Sequence, residues 1–288
     1  MLSVVVDDTR DPAWNLALDE ALARAGVPSP MTLGPGWAGP GLARDAEGAV
    51  PRDVVRSVVE APVLRVWENG PGIVVGRFQN LGRAVDLAAC ARDGLRVVRR
   101  ATGGGALYTG PGCLLFTLVR RQPHAGGPAA RRGARPIARP GARPDARPDL
   151  DVLVAKAVRR LGLPAKALRG GAVRTARLRT RRAVLTHVAV RVTEESVLGD
   201  RYLAEGERPG RSGGGSLAGH GAEATPDAVR SAVLAAAAES YGEVCTRRPN
   251  AIEQACRDHL YAVRYGDFSW HLTGAPARRG ICWEQICR

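Results

Sequence analysis

A β-rich run, Leu95 to Val98, passes directly into Arg99, Arg100, Ala101, Thr102, three consecutive glycines (Gly103, Gly104, Gly105), Ala106, Leu107 and Tyr108. No other stretch constrains the fold as much. A strand interior does not accommodate three glycines, so the sheet must open here into a loop whose backbone N–H groups can approach a ligand closely. Phosphate or carboxylate oxygens are the natural guests, and the adjacent arginines would add charge-assisted, bidentate contacts to the same anion. Taken alone, a glycine run is as readily an ordinary turn.

The segments around it read as a sheet with helices. Asp11 followed by Pro12 is a helix start, and Trp14, Leu18 and Leu22 share one face, predicting a helix over 12–24. Val63 to Trp67, Ile73 to Gly76, Leu95 to Val98 and Leu114 to Leu118 are short, β-rich and bounded by Gly or Pro, as neighbouring strands would be. Helical spacing recurs over 85–92, over 151–161 with Val152, Leu153, Ala157 and Leu161 inward, over 226–241 and over 249–260. Residues 183–192 alternate as a strand, with Val184, Thr186, Val188 and Val190 on one side and Leu185, His187 and Ala189 on the other. Loops are expected over 28–50 and at Gly213 to Gly215, and a small docking element in the tail that carries Trp270 and Trp283.

Between Ala134 and Pro148 the triplet Ala-Arg-Pro recurs every four residues. Proline at that density excludes helix and sheet interiors, so an extended or disordered insertion is expected over about 125–149. This bears on the net charge of +14, nearly all of it arginine, since Lys156 and Lys166 are the only lysines. Such a balance raises the question of a nucleic-acid partner, but aromatic residues are not interleaved with the basic ones as single-strand binders require. Six cysteines lack paired CxxC spacing, no metal cluster is readable, and neither an apolar run of membrane-spanning length nor a signal-peptide pattern occurs, so a cytoplasmic protein is expected.

Four motifs then fall in register: the helix Trp14 to Leu22, the strand Leu64-Arg65-Val66-Trp67, Gly76-Arg77-Phe78-Gln79-Asn80, and Arg99-Arg100 through Tyr108. In sequence and spacing this set resembles the lipoate-protein ligase and octanoyltransferase family, with its biotin/lipoate ligase catalytic domain. The resemblance continues more weakly to about residue 240, where Ala176-Arg177 precedes Leu185-Thr186-His187-Val188 at the family's separation. It implies an α+β fold, a mixed β-sheet flanked by helices like that of class II aminoacyl-tRNA synthetases and biotin ligases. The domain would occupy 1–245, leaving a small C-terminal appendage over 246–288.

Carried over by motif, Arg100 would meet a phosphate or acyl carbonyl, and Thr102, Gly103, Gly104, Gly105, Ala106, Leu107 and Tyr108 would line a nucleotide and lipoyl pocket. His187 is either a pocket residue or a satisfied core histidine. Asn15, Asp19 and Glu20 are either helix polar residues or neighbours of the pocket. The family's central lysine aligns with Gly171, in a segment without lysine. Lys166, Arg169 and Arg174 are the candidates to supply the missing charge, Lys166 being equally a solvated loop residue. Thr109-Gly110 replaces the family's His-Asp, and Val188 replaces a glycine. No cysteine lies between Cys113 and Cys245, where octanoyltransferases carry their nucleophile, and Cys113 reads as a packing residue, so ligation is favoured over thioester transfer.

The resemblance thus implies ATP-dependent activation of lipoate, with Mg2+, to lipoyl-AMP and transfer to a lysine of a lipoyl carrier domain, either an E2 subunit or a glycine-cleavage H-type protein. It leaves room for a separate accessory subunit. The alternatives are a degenerate member that binds such ligands without turnover, favoured by Gly171, and a nucleic-acid binder acting through residues 131–149.

Overall fold

A computed structural model describes residues 1–25, 61–122, 147–168, 171–180, 183–208, 215–221 and 223–275. The predicted loop over 28–50, most of the Ala-Arg-Pro stretch, Arg169 and Trp283 lie outside these residues.

Among the described residues nine strands are formed: β1 (Leu2–Val5), β2 (Val63–Trp67), β3 (Gly72–Val75), β4 (Arg96–Arg99), β5 (Leu107–Thr109), β6 (Cys113–Arg121), β7 (Val173–Arg179), β8 (Ala183–Arg191) and β9 (Val244–Arg247). Six make a mixed sheet in the order β7-β8-β6-β2-β1-β9, and three make a smaller one in the order β4-β3-β5. The helices are α1 (Pro12–Arg24), α2 (Leu81–Ala84), α3 (Leu87–Arg92), α4 (Leu150–Arg160), α5 (Glu195–Leu198), α6 (Pro226–Tyr241), α7 (Ala251–Leu260) and α8 (Phe268–Thr273). This is the α+β, helix-flanked mixed-sheet architecture that the motifs imply.

Strand alternation divides the large sheet into two chemically different faces. Leu114, Phe116 and Leu118 of β6, with Val188 and Val190 of β8, turn toward α4 and α6 and form one apolar core with Leu153, Val154, Val229 and Val233. The intervening residues Leu115 and Ala189 turn the other way and pack with α1, with Val74 and Leu107 of the small sheet, and with Trp270 of α8. Ile73, Val75 and Tyr108, on the far side of the small sheet, pack against α2 and α3.

The first helix starts as its sequence requires, with Asp11 accepting from the N–H groups of Ala13 and Trp14 and Pro12 at the first turn. The predicted helix over 85–92 starts two residues later, at Leu87, because Val85 pairs instead with Leu203 in an isolated β-bridge, and the separate short helix α2 precedes it. Val152 was expected inward but is exposed, while Leu150, Val154 and Val158 are buried. The short terminal strands β1 and β9 had no clear signal, as four residues are too few to establish a period.

Candidate acyl and anion pocket

A cavity of about 330 Å³ opens where the two sheets and α1 meet. Its apolar walls come from Leu16, Trp67, Val74, Leu107, Leu115, Ala176 and Ala189, and its polar groups from Arg100, Gly104, Gly105, Thr109, Arg174, Thr175 and His187. The sheet face beneath it carries two successive cross-strand rows. Trp67 pairs with Leu115, Leu115 with Ala189, and Ala189 with Arg174; the next row runs Arg65, Thr117, His187, Ala176. A single face of the sheet thus carries an apolar row ending in a cation beside a polar row.

The polar row is organised by α1. Asp19, fully buried, accepts from Arg65 Nη1 at 2.8 Å and from Thr117 Oγ1 at 2.5 Å. Its Oδ2 also lies 2.9 Å from His187 Nε2, close enough for charge pairing although not aligned for a hydrogen bond. Burial pushes the Asp19 carboxyl upward, but His187 and Arg65 outweigh it and hold the group below its ordinary value. Asn15 secures the same arginine, with its carbonyl accepting from Arg65 Nη1 at 3.1 Å and its side-chain oxygen accepting from Nη2. Trp67 Nε1 donates to Thr117 Oγ1 at 2.9 Å, which fixes the indole in the floor. Glu20 points elsewhere, to Arg24, Arg264 and Tyr265.

The two arginines of the glycine motif have different surroundings. Arg99 faces away from the cavity, and its guanidinium donates to the carbonyls of Gly76, Arg77, Gln79, His271 and Leu272. Arg100 lines the cavity while donating to the carbonyls of Gly103 and Gly105 at 2.8 and 2.9 Å, which shapes the loop. Burial, reinforced by the like charge of Arg174 and opposed by Glu207, brings Arg100 down to about 10, so it remains cationic at neutral pH. Gly104 adopts φ +95°, and a Cβ on Gly76 would lie 1.9 Å from the Gly104 carbonyl oxygen. Glycine is therefore required on both sides of this approach.

Of the residues expected to line the pocket, Arg100, Gly104, Gly105 and Leu107 do so. Thr102 and Ala106 are buried beside the loop, Gly103 lies under the Phe78 ring, and Tyr108, next to Leu107 on β5, points to the opposite face against Gly199. His187 is at the cavity wall. Lys166 is not brought there: it is exposed in the 3-10 turn Ala165–Leu168, of which only Ala167 is buried, so its ammonium sits in solvent. Gly171, where the family's lysine aligns, has φ +96°, a conformation that disfavours any side chain. Arg174, three residues on, puts its guanidinium into the cavity instead. Burial and nearby Arg191 lower its pKa, opposed by Asp200 and Glu207. Trp67, Leu115, Thr109 and Ala189 were not singled out as site residues from the sequence; only the pairing of their strands reveals a shared face.

Cys113 is buried at the start of β6, and burial pushes its thiol up to about 12, so it is not a thiolate at neutral pH. Among the described residues no group of three His, Cys, Asp or Glu side chains could hold a metal ion, and no helix is long and apolar enough to cross a membrane.

Residues 48–140 match the lipoyl protein ligase A/B catalytic domain. The chain is 40% identical over 58 residues to lipoate-protein ligase 1 of Plasmodium falciparum and 25% identical over 123 residues to lipoate-protein ligase A of Blochmanniella pennsylvanica. These matches span 20% and 43% of the chain but only 14% and 27% of the relatives' own lengths. Among solved structures, lipoate-protein ligase A bound with ATP superposes with a TM-score of 0.65 at 19% identity, covering 95% of this chain and 99% of that one. The Ta0514 protein of T. acidophilum with bound lipoic acid superposes with a TM-score of 0.64, also at 19% identity, covering 94% of this chain and 98% of that one. The fold is thus that of these ligases over nearly the whole chain, and residues 48–140 carry the sequence similarity to the lipoyl protein ligase A/B catalytic domain.

Proposed function

We propose that this protein activates lipoate, or a carboxylic acid of similar length, with ATP and passes the acyl group to a lysine of a lipoyl carrier domain. One observation carries the reading: an apolar cavity that ends at a glycine loop beside two guanidiniums, Arg100 and Arg174. Such a cavity would seat an apolar tail and hold its carboxylate where an α-phosphate can meet it. Solved relatives with ATP and with lipoic acid bound, and one studied as a bipartite ligase with its E2 lipoyl domain, supply the substrate and partner classes.

In the first step a carboxylate oxygen attacks the α-phosphorus, forming the acyl phosphate anhydride as pyrophosphate departs. In the second, the carrier lysine's neutral amine attacks the acyl carbonyl, the carbon–oxygen bond breaks with AMP as leaving group, and the amine loses a proton. Arg174 takes the electrostatic role that a lysine fills in the family, stabilising charge on carboxyl and phosphoryl oxygens in both steps. It differs in kind, since a planar fork is aimed by its strand, whereas an ammonium on a flexible stem finds its own place. Arg100 holds the loop in shape, and Asp19 holds His187 at the wall. The apolar walls exclude water from the activated acyl group. Magnesium would arrive on the triphosphate, since the described residues offer no dedicated cluster.

A second reading, binding without turnover, is favoured by Gly171. The two separate by intact-mass analysis of a lipoyl carrier domain incubated with this protein, ATP, magnesium and lipoate, alongside a no-ATP control. An ATP-dependent gain of one lipoyl group is expected. No gain on E2 or H-type carriers, with lipoate binding still measurable, would establish the non-catalytic binder.

A further inference from the structure

The glycine loop that forms the polar end of the cavity already holds an anion. Glu207, in the 3-10 turn Glu205–Glu207, lies against the glycine loop: its Oε2 accepts from the Ala106 backbone N–H at 3.0 Å and its Oε1 from Gln79 Nε2 at 2.6 Å. A Cβ built on Gly105 would lie 2.6 Å from Glu207 Oε2 and 3.5 Å from Arg174 Nη1, so carboxylate, loop and guanidinium share one small space. Arg174 Nη2 also donates to the Glu207 carbonyl at 3.3 Å. Each partner is of the kind that would receive a ligand's phosphate or carboxylate: a loop N–H, a side-chain amide and a strand-borne guanidinium.

We propose that Glu207 is a specificity-determining residue of this cavity: its carboxylate occupies the anion end of the glycine loop, and a ligand enters that end only by displacing it. The Ala106 N–H and the Gln79 amide are thereby satisfied and the charge of Arg174 is partly offset before any ligand arrives, and the apparent affinity of an incoming anion is reduced by the fraction of molecules in which Glu207 holds the site. An anion with several oxygens, such as a phosphoryl group, replaces both carboxylate contacts and meets the Arg174 guanidinium as well, whereas a lone carboxylate only exchanges like for like. The cavity would thus favour phosphate-bearing ligands over a free acid. The inference rests on the proposed function only for the identity of the natural ligand; the competition applies to any phosphate or carboxylate.

The test uses the full chain and inorganic pyrophosphate as probe. Glu207→Gln keeps an acceptor for the Ala106 N–H but removes the charge, and Glu207→Ala removes the side chain. Calorimetric titration of wild type and both variants should show pyrophosphate affinity rising about tenfold in at least one folded variant, as the competitor is removed. A purely structural Glu207 would give affinity equal to or weaker than wild type. That outcome in both variants, or no binding by any of the three proteins, overturns the proposal. A tenfold gain without carrier lipoylation would leave the proposal standing while the ligase reading fails.

Discussion

At Arg174 the family's lysine chemistry and this chain's strand geometry part ways. Gly171 has φ +96° and lies outside the cavity lining, while Arg174 is on β7, facing the same space as Arg100. Arg174→Ala should slow ATP-dependent acyl-adenylate formation by about 10²–10³-fold, the usual loss on deleting one transition-state donor. Arg174→Lys should fall between the two, and Lys166→Ala should stay within about twofold of wild type, as befits a solvated side chain. Pyrophosphate release measured in a single turnover decides; a full loss with Lys166→Ala would restore that lysine as the working cation. Cys113→Ala should leave carrier acylation intact, since a thiol raised to about 12 is not a nucleophile at neutral pH; a variant that folds yet transfers nothing would reopen the thioester route. Asp19→Asn leaves Arg65 buried without its carboxylate and should cost about 3–5 kcal/mol of stability in urea unfolding. A change under 1 kcal/mol would mean that the buried Arg65 does not depend on the Asp19 charge.

Helix α8, the last among the described residues, shows how an arginine beside the glycine loop can serve packing. Arg99 grips the carbonyls of the 76–79 loop on one side and of His271 and Leu272 on the other, and Trp270 Nε1 donates to the Arg99 carbonyl at 2.9 Å. The Arg99 N–H donates to His271 Nδ1 at 3.0 Å while His271 Nε2 lies 2.8 Å from the Tyr265 carbonyl, so the neutral ring bridges the two. Burial holds this histidine below its ordinary 6.5; the Tyr265 carbonyl and Asp267 oppose the shift, and the charges of Arg96 and Arg99 reinforce it. A depressed folded-state value means that the bridge contributes its full stability above pH 6.5 and loses it as pH falls through the lower value. Amide exchange over 268–273, corrected for the intrinsic rate, should therefore quicken on acidification below pH 6.5, and His271→Gln should abolish that dependence. Exchange that is flat between pH 7 and 5 in the wild type would show that ring protonation leaves the helix docked.

Across the whole molecule, the cavity exists because three separately encoded layers converge: α1 near the N-terminus, the small sheet over 72–109, and the β6-β8-β7 face over 113–191. The Ala-Arg-Pro stretch interrupts the last of these layers, and its end is structurally anchored. Asp149 caps α4 and pairs with Arg120 and Arg177, while Tyr241 donates to the Pro148 carbonyl. Deleting 131–146 should leave thermal stability and carrier acylation near wild type, whereas extending the deletion through 149 should cost about 1 kcal/mol more from the lost cap. Equal stability in the two deletions would remove Asp149 from the account of α4.

The helices that begin with a capping residue and proline, and the strands over 63–67, 113–121 and 183–191, were legible in the sequence because periodicity and capping are local physics. The glycine loop was legible too, since only a special backbone needs three glycines after two arginines. The different roles of those arginines were not legible: Arg99 and Arg100 are adjacent, yet strand alternation sends one to α8 and the other to the cavity. Nor was the set of Trp67, Leu115, Ala189 and Arg174, which is scattered over more than a hundred residues and becomes one row only through β-sheet register. The sequence by itself carried the resemblance, the glycine loop after two arginines and the absence of a lysine at the aligned position. Only the tertiary structure brought Arg174 into the cavity beside Arg100 and set the Glu207 carboxylate against the glycine loop, because both placements depend on strands paired across the chain and on a turn folded back over the loop.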